Sequence, residues 1–280
     1  MELRPLPSPP VAVERYATPL LPNDVIQQLP RRSFDVVVVG AGIAGLTFLL
    51  HLPPEWRVAL LTKGALGESN TRYAQGGLSA AIGSDDSPEL HAADTLAAGA
   101  GLSDADAVQR LVECASSAVA WLIGLGTHFD RDPRTGEVLL GREAAHSRRR
   151  VLHAGGDATG AEIERALVAA TRARPTETVL EHAFAVDLHV ENGRCRGLIA
   201  AIPAEEGEQV ILLNAGSVVI AAGGVGQLWA VTSNPAGATA DGLAMALRAG
   251  VAVADLEFVQ FHPTVLALPN AKPFLITEAV

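Results

Sequence analysis

The sequence predicts an α/β fold in which a parallel sheet carries helices on both faces, and three observations support it. A β-branched run at residues 36–39 ends in a glycine-rich turn, and a helix-like stretch follows to about Leu52. A second buried strand is predicted at residues 57–62, after the helix-breaking pair Pro53 and Pro54. Strand, turn, helix and strand within about 30 residues form a βαβ unit. Continuous apolar strands of this kind are typical of a parallel sheet covered on both sides.

The remaining elements are predicted from the same patterns. Helices are expected at residues 104–125, 159–174 and 241–249, where apolar residues recur at helical spacing. Residues 179–190 and 196–202 are expected to pair as strands around a Glu-Asn-Gly turn at 191–193, with 210–213 as a third strand of a small inserted sheet. Residues 217–222 predict another buried strand. Residues 64–101 form a glycine- and alanine-rich stretch, and 128–156 are predicted as a polar loop.

Composition argues against several classes of function. The chain has 31 acidic and 21 basic residues, a net charge of −10, and only 4% aromatic residues, which is unlike a nucleic-acid-binding protein. Its apolar runs fall well short of the roughly 20 residues of a spanning helix. Cys114 and Cys195 form no CxxC pair, so neither a disulfide framework nor a metal site is expected. A cytoplasmic protein without nucleic-acid or membrane partners is predicted.

The glycine turn predicts a dinucleotide site. Gly40, Gly42 and Gly45 form a GxGxxG motif between a predicted strand and a predicted helix. The first glycine permits the turn, the second lets the backbone approach a pyrophosphate, and the third lets helix and strand pack closely. An ordinary tight turn is the alternative. The acidic residue that usually follows the second strand is replaced by Thr62 and Lys63; because an ammonium only donates, this argues against a routine NAD site.

Several segments together resemble the flavoprotein family of succinate dehydrogenase, fumarate reductase and L-aspartate oxidase, over about residues 34–280. The segment SNTRYAQGG at 69–77 looks like the family's flavin-binding loop, and AAGG at 221–224, QFHPT at 260–264 and LITEA at 275–279 also match. The resemblance implies a Rossmann-like domain with FAD as its cofactor. The residues that it places against FAD are Gly40, Ala41, Gly42, Ile43, Ala44, Gly45, Lys63, Asn70, Thr71, Arg72, Tyr73, Ala74, Gln75, Gly76, Gly77, Phe184, Ala185, Gly223, Gly224 and Asp241.

Two positions distinguish branches of the family. Asn70 stands where succinate dehydrogenases carry the histidine that attaches the flavin covalently, so non-covalent FAD is expected. The segment GREAAHS at 141–147 resembles the REGGHS segment of L-aspartate oxidases, whose glutamate is implied to orient the substrate ammonium. Ala144, Ala145 and Ala240 replace glycines of the family pattern, which would strain the loops wherever φ must be positive.

The resemblance assigns substrate roles to four residues, Glu143, His262, Thr277 and Glu278. From the residues alone, each has a structural alternative. Glu143 could be a solvated loop charge paired with a neighbouring arginine, and His262 a buried, hydrogen-bonded histidine. Thr277 and Glu278 could be the first polar residues of a helix, and Asp241 a helix N-cap.

The arginine cluster at 148–150 is a further charged feature of the polar loop. It is predicted either to attract anions or to form a solvated face.

The activity implied by the resemblance is the FAD-dependent oxidation of L-aspartate to iminoaspartate, on the route to quinolinate and NAD. A hydride would pass from the substrate to flavin N5, and O₂ or fumarate would reoxidise the flavin, with quinolinate synthase as a candidate partner. A succinate or fumarate oxidoreductase and a non-catalytic FAD-binding fragment are the alternatives.

The predicted domain organisation has three parts: an irregular extension at residues 1–33, an FAD-binding domain at 34–257, and the start of a capping domain at 258–280. The family's closing flavin segment and catalytic arginine are expected beyond residue 280. The 280-residue chain is therefore expected to be inactive alone.

Overall fold

The structure is a computed structural model that describes residues 19–175, 177–262, 264–266 and 274–276. Its helices are α1 (Asn23–Gln28), α2 (Ile43–His51), α3 (Pro88–Ala98), α4 (Ala105–Gly124), α5 (Thr159–Arg172) and α6 (Asp241–Arg248). Its strands are β1 (Arg31–Val39), β2 (Val58–Leu61), β3 (Leu78–Ser79), β4 (Leu140–Gly141), β5 (Val151–Leu152), β6 (Glu177–Leu180), β7 (Phe184–Glu191), β8 (Arg194–Ala204), β9 (Gly207–Ile220), β10 (Val265–Leu266) and β11 (Phe274–Leu275).

The described residues divide into two compact units. Residues 19–70 and 167–262 belong to one, here called the sheet unit, and residues 71–166, 264–266 and 274–276 belong to the other, here called the insert unit. Within the described part of the chain, no helix is long and apolar enough to cross a membrane.

The sheet unit is built on a six-stranded mixed sheet with the order β6-β2-β1-β9-β8-β7. The first four strands are parallel, and β9, β8 and β7 pair antiparallel. Residues Val58–Leu61 of β2 are fully buried, as the continuous apolar run predicted. A Rossmann-like α/β fold with a small antiparallel sheet is thus confirmed.

Two strand predictions were wrong in their boundaries. Residues 210–213 and 217–222 were expected as separate strands, but 210–213 and 217–220 lie in the one 14-residue strand β9, which ends at Ile220. Residues 217–220 were expected to be buried, but Ser217 and Ile220 are exposed. Asn214 of that strand pairs with Ser33 of β1 on one side and with Gly197 of β8 on the other. The antiparallel strands are therefore continuous with the parallel sheet.

Residues 179–190 were expected as one strand, but they form β6 and β7 with different neighbours. The chain turns between them at His182, which has a φ of 53°.

The prediction of an irregular chain up to residue 33 was wrong for its described part. Residues Asn23–Gln28 form α1, and β1 begins at Arg31. The physical reason is local burial, since Ile26 is 4% exposed and packs with Ile199 and Leu212. The predicted domain boundaries, at residues 33/34 and 257/258, stay a prediction.

The insert unit contains α3, α4 and the three-stranded sheet β3-β5-β4. Helix α4 is confirmed, and the Asp104 side chain caps it by accepting from the Ala107 N–H at 2.9 Å. Helices α5 and α6 are confirmed to within two residues of their predicted ends. Helix α3 was missed, although Ser87 at its N-cap and Pro88 at its first position are ordinary start signals.

Candidate functional site

The glycine turn lies in the sheet unit, between the end of β1 and the start of α2. Gly40 has a φ of 105°, and a Cβ there would lie 2.2 Å from the Ala221 carbonyl oxygen. A Cβ at Gly45 would lie 1.9 Å from the Gly40 carbonyl oxygen. The Gly40 N–H donates to the Leu61 carbonyl at 2.8 Å. The turn is therefore held at the carboxyl ends of three parallel strands, where α/β folds bind their ligands.

Lys63 follows β2 at the same end of the sheet. Its ammonium lies 2.5 Å from an Asp241 carboxylate oxygen and 2.5 Å from the Thr239 hydroxyl oxygen. Burial would raise the pKa of Asp241, but the hydrogen bonds from Lys63 and Thr239 hold it below its ordinary value. Asp241 is thus the acidic partner of Lys63 at this edge.

The alternative role of Asp241 as a helix N-cap was wrong. Ala240 is the N-cap of α6, with a φ of 60° and a ψ of 27°, and its N–H donates to the Gly224 carbonyl at 3.1 Å. Asp241 is the first helical residue, and its carboxylate is bound by Lys63 and Thr239. The left-handed conformation of Ala240 explains why glycine suits this position.

The AAGG segment follows β9 in the same unit. A Cβ at Gly223 would lie 3.5 Å from the Asn70 side-chain nitrogen, and a Cβ at Gly224 would have no atom of the described residues within 4 Å. Phe184 on β7 is 43% exposed, whereas Ala185 belongs to the buried core. The sheet unit therefore brings together Asn70, Gly223 and Gly224, with open space over Gly224.

The predicted flavin loop continues into the insert unit as Thr71–Gly77. It begins with a 3₁₀ turn at Thr71–Tyr73 and packs tightly on the start of α5, because a Cβ at Gly160 would lie 1.9 Å from the Thr71 carbonyl oxygen. The Gln75 amide nitrogen lies 3.3 Å from an Asp157 carboxylate oxygen. In the part of the chain that the structure describes, no atom would lie within 4 Å of a Cβ at Gly76.

Gly77, with a φ of 81°, differs from Gly76. A Cβ there would lie 2.7 Å from a Val151 methyl, 2.8 Å from the Leu152 carbonyl oxygen and 3.0 Å from His153 Nε2. The protein's own packing requires glycine at 77 but not at 76.

Glu143 lies in the loop that joins β4 to β5 in the insert unit. Its Oε1 is 3.3 Å from His153 Nε2, and about a third of its side chain is exposed. The loop turns through Ala145, which has a φ of 67°. The Arg142 guanidinium donates to the His146 carbonyl at 3.0 Å, so it closes the loop instead of pairing with Glu143.

The same loop is anchored by a buried ion cluster. Arg150 is fully buried; it donates to both oxygens of Asp86 at 2.8 Å and to Asp94 at 2.6 Å. Asp94 Oδ2 also accepts from the Ser147 N–H at 2.7 Å and the Ser147 hydroxyl at 2.8 Å. Helix α3, which supplies Asp94, therefore pins the end of the Glu143 loop.

The pKa directions in this cluster show ionised partners. The hydrogen bond from the Ser147 N–H lowers the pKa of Asp94 from 3.8 to about 2. Burial opposes this shift, and the Ser147 hydroxyl and Arg150 add to it. Burial would raise the pKa of Asp86, but Arg150 holds it below its ordinary value. Both predicted roles of the arginine cluster, an anion-attracting surface and a solvated face, were wrong for Arg150, because its charge is buried and neutralised by two carboxylates.

The predicted site residues thus fall into two groups, each held together within its own unit. The sheet unit holds the glycine turn, Lys63, Asn70, the AAGG segment, Asp241 and the half-buried His262; the insert unit holds residues 71–77 and Glu143. Thr277 and Glu278 lie outside the described residues. His153, Asp94, Asp86 and Arg150 were not predicted as site residues.

The arrangement in the sheet unit fits a dinucleotide. The glycine turn leaves the backbone bare at the carboxyl ends of β1, β2 and β9, and the N-terminus of α2 follows it directly. Among the described residues, no atom fills the space over Gly224. These are the features that admit a pyrophosphate and the rings attached to it.

Comparisons with known proteins agree with this geometry. The L-aspartate oxidase of Streptomyces coelicolor is 50% identical over 252 residues, which are 88% of this chain and 43% of that protein. The L-aspartate oxidase of a Nostoc species is 48% identical over 250 residues, 89% of this chain and 42% of that protein. The chain therefore spans less than half the length of these relatives.

Solved structures show the same fold. The Mycobacterium smegmatis Sdh1 complex in its apo form matches with a TM-score of 0.82 and 33% identity, over 89% of this chain and 44% of that one. A quinol-fumarate reductase with menaquinol molecules matches with a TM-score of 0.73 and 30% identity, over 78% of this chain and 38% of that one.

The family model described as FAD binding domain matches residues 35–280. That range includes the glycine turn, the flavin loop, the AAGG segment and the Glu143 loop. The match identifies FAD as the dinucleotide that the sheet unit fits. This chain belongs to the FAD-binding domain family.

Proposed function

We propose that the protein oxidises L-aspartate to iminoaspartate with non-covalent FAD, on the route to quinolinate and NAD, and that this chain supplies its FAD-binding part. The observation that carries the proposal is the Glu143 carboxylate. Within the described part of the chain its Oε1 contacts only His153, and its Oε2 has no hydrogen bond. A partly exposed carboxylate on an anchored loop suits an ammonium ligand.

In the sheet unit, the turn from Gly40 to Gly45 and the N-terminus of α2 would bind the pyrophosphate. Asn70 and Gly223–Gly224 of the same unit would contact the remainder of the cofactor. In the insert unit, the backbone N–H groups of residues 75–77 are the proposed donors to the flavin. When bound, FAD would supply, at its N5 atom, the acceptor for a hydride from the substrate Cα, with O₂ or fumarate as the final oxidant.

The substrate would be held by charge and hydrogen bonds. In the insert unit, Glu143 would bind the ammonium and so fix which face of Cα is presented. The family resemblance assigns His262 and Thr277 as donors to a substrate carboxylate, and Glu278 as the residue that supports Thr277. Orientation of this kind lowers the barrier because the reacting atoms no longer have to be brought together. Succinate carries no ammonium, so Glu143 would select the amino-dicarboxylate.

A succinate or fumarate oxidoreductase is the second candidate, favoured by the likeness to the quinol-fumarate reductase structure. Asn70 and Glu143 argue against it. Asn70 lies 3.5 Å from where a Cβ at Gly223 would be, yet an amide has no nucleophile for a covalent flavin bond.

The discriminating experiment is Glu143→Gln in the full-length protein. L-Aspartate oxidation is expected to lose about tenfold to a hundredfold in kcat/KM, because a charge-assisted hydrogen bond contributes about 1.5–3 kcal/mol. Fumarate reduction should change little. Glu137→Gln, at an exposed position of the same unit, is the matched control. Equal losses with L-aspartate and fumarate would contradict the role given to Glu143.

A further inference from the structure

We propose that His153 is a positioning residue that fixes the Glu143 carboxylate for the substrate ammonium. This inference rests on the proposed function and adds a specificity-determining residue to it. His153 follows β5 directly and lies in the same unit as Glu143 and residues 71–77. Its ring joins the proposed ammonium-binding carboxylate to the turn of the flavin loop.

The His153 ring lies in a slot that two glycines leave open. A Cβ at Gly77 would lie 3.0 Å from its Nε2 atom, and a Cβ at Gly141 would lie 3.1 Å from its Cε1 atom and 3.4 Å from Nδ1. A side chain at either glycine would displace the ring. The slot therefore fixes the ring against both the flavin loop and strand β4.

The backbone at His153 is fixed as well. Its carbonyl accepts from the Asp130 N–H at 2.8 Å. The Asp130 carboxylate accepts from the Gly155 N–H at 2.9 Å and the Gly156 N–H at 3.2 Å. These bonds tie the backbone of residues 153–156 to Asp130, so the ring projects from an anchored segment.

The Glu143 side chain, in contrast, depends on His153. The loop backbone is held by Arg142 and, through Ser147, by Asp94, but the carboxylate contacts only His153 Nε2 within the described residues. A free glutamate side chain loses rotamer entropy when it is ordered. When the His153 Nε2–H donates to Glu143 Oε1, the carboxylate is partly ordered before the substrate binds, so less rotamer entropy is lost on binding. The Glu143 Oε2 atom is left to accept from the ammonium.

The test is a double-mutant cycle in the full-length, FAD-loaded protein. His153→Phe keeps a ring in the slot and removes the donor, and His153→Gln restores an N–H at the end of the side chain. His153→Phe is expected to lower kcat/KM for L-aspartate by about threefold to tenfold. This loss is smaller than that expected for removing a fully buried charged hydrogen bond, because both side chains are partly exposed. Fumarate reduction should stay within twofold, and His153→Gln should recover most of the loss.

The cycle with Glu143→Gln separates positioning from a purely structural role. His153→Phe should add no further loss in the Glu143→Gln background, since its effect acts through the carboxylate. His128→Phe is the matched control, because it removes another His–Glu pair of the same unit, at 3.2 Å, on a side chain that is 83% exposed. Additive losses, or equal losses with L-aspartate and fumarate, would overturn the proposal.

An NMR measurement tests the contact between His153 and Glu143 independently of the proposed activity. If the wild-type protein does not oxidise L-aspartate, the proposed function fails by itself. In ¹⁵N-histidine NMR spectra, Glu143→Gln should shift the His153 Nε2 resonance, assigned by its disappearance in His153→Gln. An unshifted resonance would show that the ring does not bind the carboxylate, and would overturn the positioning role even in an active enzyme.

Discussion

Gly76→Ala is expected to weaken FAD binding without harming the fold. A Cβ at Gly76 would meet no atom of the described chain within 4 Å, and the φ of Gly76 is not in the left-handed region. The substitution should therefore stabilise the FAD-free protein by about 0.4–1 kcal/mol, because it restricts the unfolded chain. If the backbone at 76 lies against the flavin, the same methyl has to be accommodated in a packed contact, at a cost of about 1–3 kcal/mol. That corresponds to roughly fivefold to 150-fold in Kd.

Flavin fluorescence titration of the full-length apoprotein measures the Kd, and thermal unfolding without FAD measures the stability. Gly124→Ala is the matched control, since a Cβ there also has no protein atom within 4 Å but the residue ends helix α4. The control should gain stability and keep its Kd. Gly224→Ala, which has equally open space, should behave like Gly76→Ala. An unchanged Kd in both Gly76→Ala and Gly224→Ala would refute the argument that these glycines face the cofactor.

Three further predictions follow from single residues. Because Asn70 has no nucleophile, acid precipitation of the FAD-loaded full-length protein should release all of its flavin; colour that stays with the polypeptide would contradict this. Ala240→Gly should stabilise the protein by about 0.5–1 kcal/mol, because the left-handed strain at φ 60° outweighs the added backbone entropy of glycine. Ala246→Gly, inside α6, is the control and should destabilise the protein by about 1 kcal/mol. Urea titration measures the free energy of unfolding of both variants. The folded pKa of Asp94 is about 2 against 3.8 when unfolded, so its stabilisation is present above 3.8 and is lost as the pH falls towards 2. The difference in free energy of unfolding between the wild type and Asp94→Asn should shrink over that window, and a constant difference would count against the ion cluster.

The fold was predictable where local pattern and long-range pairing agree. The run at 36–39, the GxGxxG turn and the apolar strand β2 each carry their own signal, and the structure pairs Val36–Val39 with Val58–Leu61 in register. Strand β9 was predicted as two strands, and Asn214 and Gly216, which lie between them, are residue types that favour turns. Pairing on both sides with Ser33 and Gly197 overrides that preference.

The candidate site was predictable only in its motif residues. Glu143 and residues 69–77 could be found because they resemble a known family. Arg150 could not, because a charged residue in a run of three arginines usually lies at the surface, and its partners Asp86 and Asp94 lie 64 and 56 residues away. His153 was missed for a similar reason, since only the fold brings it against Gly77, Gly141 and Glu143.

The glycines of the motifs show most clearly what the structure adds to the pattern. By sequence, Gly40, Gly45, Gly76, Gly77 and Gly224 all count equally as matches. By geometry, Gly40, Gly45 and Gly77 are required by the protein itself, since a Cβ there would lie within 2.7 Å of its own atoms. Gly76 and Gly224, in contrast, face space that no atom of the described residues occupies. A glycine that the fold does not need is better explained by a ligand that approaches its backbone. Gly76 and Gly224 are therefore the positions at which loss of FAD can be separated from loss of structure.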